Sequence, residues 1–139
     1  MNKILYGIIL SMYALASSAS IPKILTQIPD TISSVTPQYI QALEGNIRKI
    51  NNLRARVEQQ IEDEKKENAQ NIENLVRLKS KPSLIKNLEN AHEIALMQLY
   101  KTIILYDQWI SHMQFIVNSH QEYLQMAENY KKLLQTCEK

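Results

Sequence analysis

From Pro37 onward, large apolar residues recur at Ile40, Leu43, Ile47, Ile50, Leu53, Val57 and Ile61. Steps of three and four place them on one stripe of an α-helix, the face that such a helix buries. The stripe fades through Glu62–Asn71, which contains no large apolar residue, and resumes at Ile72, Leu75, Val76 and Leu78. On the other side, Glu44/Arg48, Glu62/Lys66 and Glu73/Arg77 stand four residues apart, the spacing of ion pairs on a solvated helix face. This pattern predicts one helix over about residues 37–79.

A second pattern is more regular. Alternating steps of four and three from Leu88 pass through His92, Ala95, Leu99, Thr102, Tyr106, Trp109, Met113 and Ile116, then His120, Tyr123, Ala127, Tyr130, Leu134 and Cys137. A 3.5-residue period held this long predicts coiled-coil-like packing of a helix over about 84–137. A further column, Leu96, Ile103, Ile110, Val117 and Leu124, adjoins the seam. The resulting face is wider than a two-stranded zipper needs, and Ile104, Leu105 and Phe115 fall outside it.

The prolines separate these elements. Proline suits a helix's first turn and breaks its interior. Thr36–Pro37 therefore reads as an N-cap and first helical residue, and Ser80–Lys81–Pro82–Ser83 as a turn with Ser83 as the next N-cap. Folding back at Pro82 sets the rich segment 103–124 beside the first stripe and the polar stretch 62–71 beside 92–101. The fold class is all-α: a long antiparallel helical hairpin or coiled-coil-like bundle spanning 37–139. A bend near Asn118–Ser119 would convert the hairpin into a three-helix bundle. Residues 20–36 form an extended or short-helical lead-in, whose Ile21, Ile24, Leu25, Ile28, Ile32 and Val35 can cover the second helix where it outruns the first beyond residue 125.

Residues 1–19 read as an address. Met1–Asn2–Lys3 gives a short positive start, an apolar run spans Ile4–Ala16, and Ser17–Ser18–Ala19–Ser20 follows it. These are the parts of a secretory signal peptide, in a run shorter than the roughly 20 residues of a membrane span. Cleavage after Ala19 fits best, with Ser18 and Ser20 as alternatives. The expected location is the periplasm or the extracellular space. The 139 residues contain one cysteine, Cys137, so no disulfide framework is available. The chain has two glycines, too few for β-rich folds or Gly-rich phosphate loops, and a net charge of +2. Exported chains of near-zero charge have no evident use for nucleic acid.

The apolar content is concentrated. Sixteen of the 24 residues in Ile94–Val117 are apolar, more than a single facing helix can cover. Lys101, Asp107 and His112 make a membrane span of this segment costly. The expectation is burial against a protein partner, chiefly a second copy of the chain in a homodimer, through Leu96, Ile103, Ile104, Leu105, Trp109, Ile110, Phe115 and Val117. Arg77, Lys79, Lys81 and Lys86 give the hairpin a basic tip suited to peripheral contact with an anionic membrane or envelope surface.

Candidate chemistry is sparse. Glu89-x-x-His92 is half of a carboxylate-bridged di-iron signature, but neither His112 nor His120 has a Glu three residues before it. His92 and His120 share the seam yet lie roughly 42 Å apart along one helix, so polar residues that fix register are the simpler reading. Glu62–Asp63–Glu64 reads as an exposed charge run. No nucleophile–base constellation, metal site or cofactor site is assembled by the spacing. The chain thus reads as an exported interaction protein and not an enzyme: an adaptor or holdase-like chaperone, or an accessory subunit of a secretion or conjugation apparatus. In its layout of signal peptide, Ile-Pro lead-in and long helices it is similar to minor subunits of such pili. A metal-binding bundle is the third expectation.

Overall fold

The structure is a computed structural model that describes residues 22–29 and 31–138. The segment read as an export signal, and its cleavage site, lie outside the described residues. Two helices packed against each other make up most of the remainder: α1, Pro37–Arg77, and α2, Pro82–Cys137. No strand occurs among the described residues.

The start of α1 follows from its first two residues. Thr36 Oγ1 accepts the backbone N–H of Tyr39 at 3.1 Å, and the Thr36 carbonyl accepts that of Ile40 at 3.2 Å. Pro37 occupies the first helical position, where its missing N–H costs nothing.

The turn between the helices differs from expectation by about two residues. The Ser80 N–H donates to the Leu75 carbonyl at 3.0 Å, and the Lys79 N–H donates to that of Val76 at 3.1 Å. These two bonds form a Schellman closure, so α1 ends at Arg77. At the other side, the Lys81 carbonyl accepts the N–H groups of Leu84 and Ile85 at 3.0 and 3.3 Å. Lys81 is therefore the capping residue and Pro82 opens α2; Ser83 lies inside the helix instead of capping it. The fixed φ of proline is already helical, and this preorganisation wins over the side-chain cap that Ser83 offers.

Lys79 carries the Schellman closure with φ 52°, the left-handed region. A Cβ there costs about 1–2 kcal/mol, whereas glycine has no such penalty but loses some backbone entropy. Lys79→Gly is expected to raise stability by about 0.5–1 kcal/mol, seen as a higher urea midpoint at unchanged slope. A lowered midpoint would show that the lysine side chain has a role the backbone does not reveal.

Two compact units share the helices. In the first, Asn52–Asp107, the buried residues of α1 are Val57, Ile61, Glu64 and Leu75, and those of α2 are Leu88, His92, Ala95, Leu99, Thr102 and Tyr106. In the second, Ile21–Asn51 with Gln108–Lys139, the buried residues are Val35, Leu43 and Ile50 together with Trp109, Met113, Ile116, Val117 and His120. Leu43 and Met113 have no exposed surface at all. All ten positions of the 4–3 seam from Leu88 to His120 are buried. Asn118 and Ser119 are helical, with no break in α2.

Past His120 the seam expectation fails. Every residue from Gln121 to Glu138 is exposed, including Tyr123, Tyr130 and Leu134, which share the seam spacing. The lead-in does not cover this tail. It makes two short 3₁₀ turns, Lys23–Gln27 and Ile32–Ser34, and is tied back to the first turn of α1, where Tyr39 Oη donates to the Ile24 carbonyl at 2.9 Å. Burial raises the pKa of that tyrosine hydroxyl, because the phenolate would lose hydration there. Among the described residues of the lead-in, Val35 is buried.

Candidate functional site

The first unit contains a buried polar contact between its two helices. The apolar stripe of α1 is interrupted over Glu62–Asn71, yet its 4–3 spacing continues unbroken from Val57 through Ile61, Glu64, Asn68 and Asn71 to Leu75. Glu64 is accordingly buried, not part of an exposed charge run, and Asn68 and Asn71 are half-buried. His92 occupies a seam position of α2, and its Nδ1 is hydrogen-bonded to Glu64 Oε1. Both side chains are only 6% exposed, which makes the pair an interior one. Around it, Gln60 Oε1, Asn68 Oδ1 and His92 Nε2 are buried without a protein hydrogen-bond partner. Such groups strongly favour one helix register over shifted ones, because sliding would leave a carboxylate facing apolar side chains. The period itself carried the signal: counting positions regardless of residue type leads to Glu64.

The pair does not extend into a metal centre. Glu89 is exposed while His92 faces Glu64, so the Glu-x-x-His spacing does not become a joint site. Among the described residues no group of three or more His, Cys, Asp or Glu side chains stands close enough to hold a metal ion. His120 is buried in the other unit with Nδ1 unpartnered, and Cys137 is a free, exposed thiol.

Nearer the solvent, Arg54 joins the two helices of the first unit. Its Nε donates to Asp107 Oδ1 at 2.7 Å, its Nη2 reaches Asp107 Oδ2 at 3.5 Å, and its Nη1 contacts Glu58. The hydrogen bond to Asp107, above all, holds the guanidinium pKa above its ordinary value. Lys65 Nζ stands 5.9 Å from the centre of the Tyr100 ring. Its pKa is raised first by a hydrogen bond with Tyr100 and then by Glu62. Glu62 thus pairs with Lys65 at 3.3 Å and not with Lys66 as its spacing suggested, whereas Glu73–Arg77 forms at 3.4 Å as expected. All are surface pairs of small energetic weight.

The residues expected to form a self-association face are divided by the structure. In the first unit Ile104 is exposed, and Leu96, Ile103 and Leu105 are half-buried. In the second, Trp109 and Val117 are buried within the chain, Ile110 is half-buried, and Phe115 is 69% exposed. Ile94, Met97 and Tyr100 are exposed as well, and Met97, Tyr100 and Ile104 follow i, i+3, i+7 spacing along one outer stripe of α2. The face expected as a single wide surface is therefore an inner seam occupied by α1 and a separate outer stripe. At the tip, Arg77 is engaged by Glu73, and Lys79, Lys81 and Lys86 are exposed.

No helix among the described residues is long and apolar enough to cross a membrane. Compared with known proteins, the chain matches no family model, no curated sequence and no solved structure.

Proposed function

We propose that this chain is an exported helical protein–protein interaction module, an adaptor or holdase-like chaperone that engages other proteins through the outer stripe of α2. The observation that carries the reading is the exposure of Ile94, Met97, Tyr100 and Ile104 on a helix whose inner seam is already buried. Apolar groups arrayed at helical spacing on an outer surface raise free energy in water unless a partner covers them. Lys65 over the Tyr100 ring sets one cation beside this stripe, and the exposed Glu89 and Glu93 carry its spacing toward the cationic tip at Lys79, Lys81 and Lys86. These mixed charges favour partner segments that combine apolar residues with charges of both signs, and the lysines of the tip allow peripheral contact with an anionic envelope surface.

The test is suppression of aggregation of an unfolded client by the purified protein, alongside its Ile104→Asp variant. Suppression at near-stoichiometric amounts is expected, with a loss of about tenfold in potency for the variant, roughly 1.4 kcal/mol, and no change in helical content. No suppression at several-fold excess refutes the chaperone reading. N-terminal sequencing of the exported protein is expected to begin at Ser20, and a retained Met1 would refute the export reading.

A further inference from the structure

The tail of α2 continues a packed seam with nothing packed on it. The seam positions from Leu88 to His120 are covered, and the same spacing then runs through Tyr123, Ala127, Tyr130, Leu134 and Cys137, which are exposed. Leu124, Met126 and Leu133 flank those positions and are each more than half exposed. The surface is thus in unbroken register with an established helix–helix interface, and its period is that of a surface that takes another helix.

The position of α1 decides how such a helix must lie. α1 begins at Pro37 and covers the inner side of α2 up to His120, so that line is filled upstream and open downstream. A helix parallel to α2 would bring its own upstream half onto the place α1 already fills. An antiparallel one continues the line of α1 and carries the rest of its molecule away. The tail of a second copy satisfies this in a closed two-fold arrangement, each tail filling the line that the other leaves open.

Side-chain sizes fit the same arrangement. In the antiparallel register that continues the seam, Tyr130 faces the partner's Ala127 and Tyr123 faces the partner's Leu134. The small alanine makes room for the tyrosine ring, so large and small residues alternate across the contact. Met126 falls beside the partner's Leu133, and the aliphatic stem of Lys131 lies along the partner's Leu124, leaving its ammonium in water. The apolar side chains involved expose several hundred Å² on each copy, so two tails cover on the order of the 1,000 Å² that a specific interface requires.

We propose that residues 121–138 form a self-association segment that pairs antiparallel with the same segment of a second copy. This deepens the interaction-module reading by assigning one partner, the chain itself, to a surface other than the outer stripe. The self-contact moves from Ile94–Val117 to the tail, because Trp109 and Val117 of the former face are already buried within the chain.

Light scattering on the full chain at tens of micromolar is expected to give twice the monomer mass, and the Tyr130→Glu/Leu134→Glu double variant half of that. Because both positions are exposed, the variant's thermal transition at monomeric dilution is expected to stay within about 2 °C of the parent's. A spin label on the native Cys137 reads orientation: the antiparallel register separates the two labelled sites by about 25 Å along the axis. A monomeric parent, an undiminished dimer in the double variant, or ready Cys137–Cys137 crosslinking would each overturn the proposal. A dimer abolished by Ile104→Asp but not by the tail variant also overturns it, while leaving the interaction-module reading intact.

Discussion

Glu64→Ala is expected to destabilise the protein by about 3 kcal/mol, with loss of the cooperative unfolding transition of the first unit at moderate urea. Glu64 and His92 are each 6% exposed, so the alanine leaves an imidazole in the interior with neither nitrogen satisfied, Nε2 being unpartnered already. The measurement is urea unfolding followed by circular dichroism. The matched double variant Glu64→Leu/His92→Leu separates the cost of an orphaned group from the worth of the pair. Apolar replacements of similar volume remove the desolvation penalty along with the hydrogen bond, so the double variant is expected to recover most of the loss. It should also relax the helix register, seen as a broader thermal transition. If Glu64→Ala costs under about 0.5 kcal/mol, in the range of an ordinary surface change, Glu64 is not held inside.

Leu43→Ala is expected to cost about 3 kcal/mol in the second unit, and Met113→Ala a similar amount. These two side chains have no exposed surface, so truncation forfeits the transfer free energy of the removed groups and leaves a cavity that long helices close only partly. Phe115→Ala serves as the contrast. It removes more apolar atoms than Leu43→Ala, but from a side chain 69% exposed, and is expected to change stability by less than about 0.5 kcal/mol. Hydrophobic bulk alone would rank these substitutions in the opposite order, so chemical denaturation of the three variants decides whether burial by α1 is what matters. Equal costs for Leu43→Ala and Phe115→Ala would refute the packing described.

Several features were legible in the residues themselves. Thr36–Pro37 opened α1 as read, because cap chemistry and proline geometry act within one turn. The ten seam positions from Leu88 to His120 were legible because their period matches a helix packed along its length. Two departures share one origin. Glu64 reads as a surface residue by its chemistry, although its position in the period places it inside. Tyr123, Ala127, Tyr130 and Leu134 share the seam's period, but the lead-in expected to cover that overhang leaves them exposed. A period states which side of a helix a residue occupies, but burial also needs a neighbour at that height.

The alternation of apolar and polar positions determined, without any tertiary information, that this chain makes two long helices joined near Pro82 with seams on defined faces. These are properties of spacing and of local backbone preference. Only the tertiary structure decided which parts of those seams are covered, that a buried carboxylate meets His92, and that the rich segment of α2 divides into an inner and an outer apolar surface. The physical reason is common to all three. Helix formation is settled by residues a few positions apart, whereas coverage depends on where a second helix begins and ends, and here α1 begins too late to cover the tail of α2.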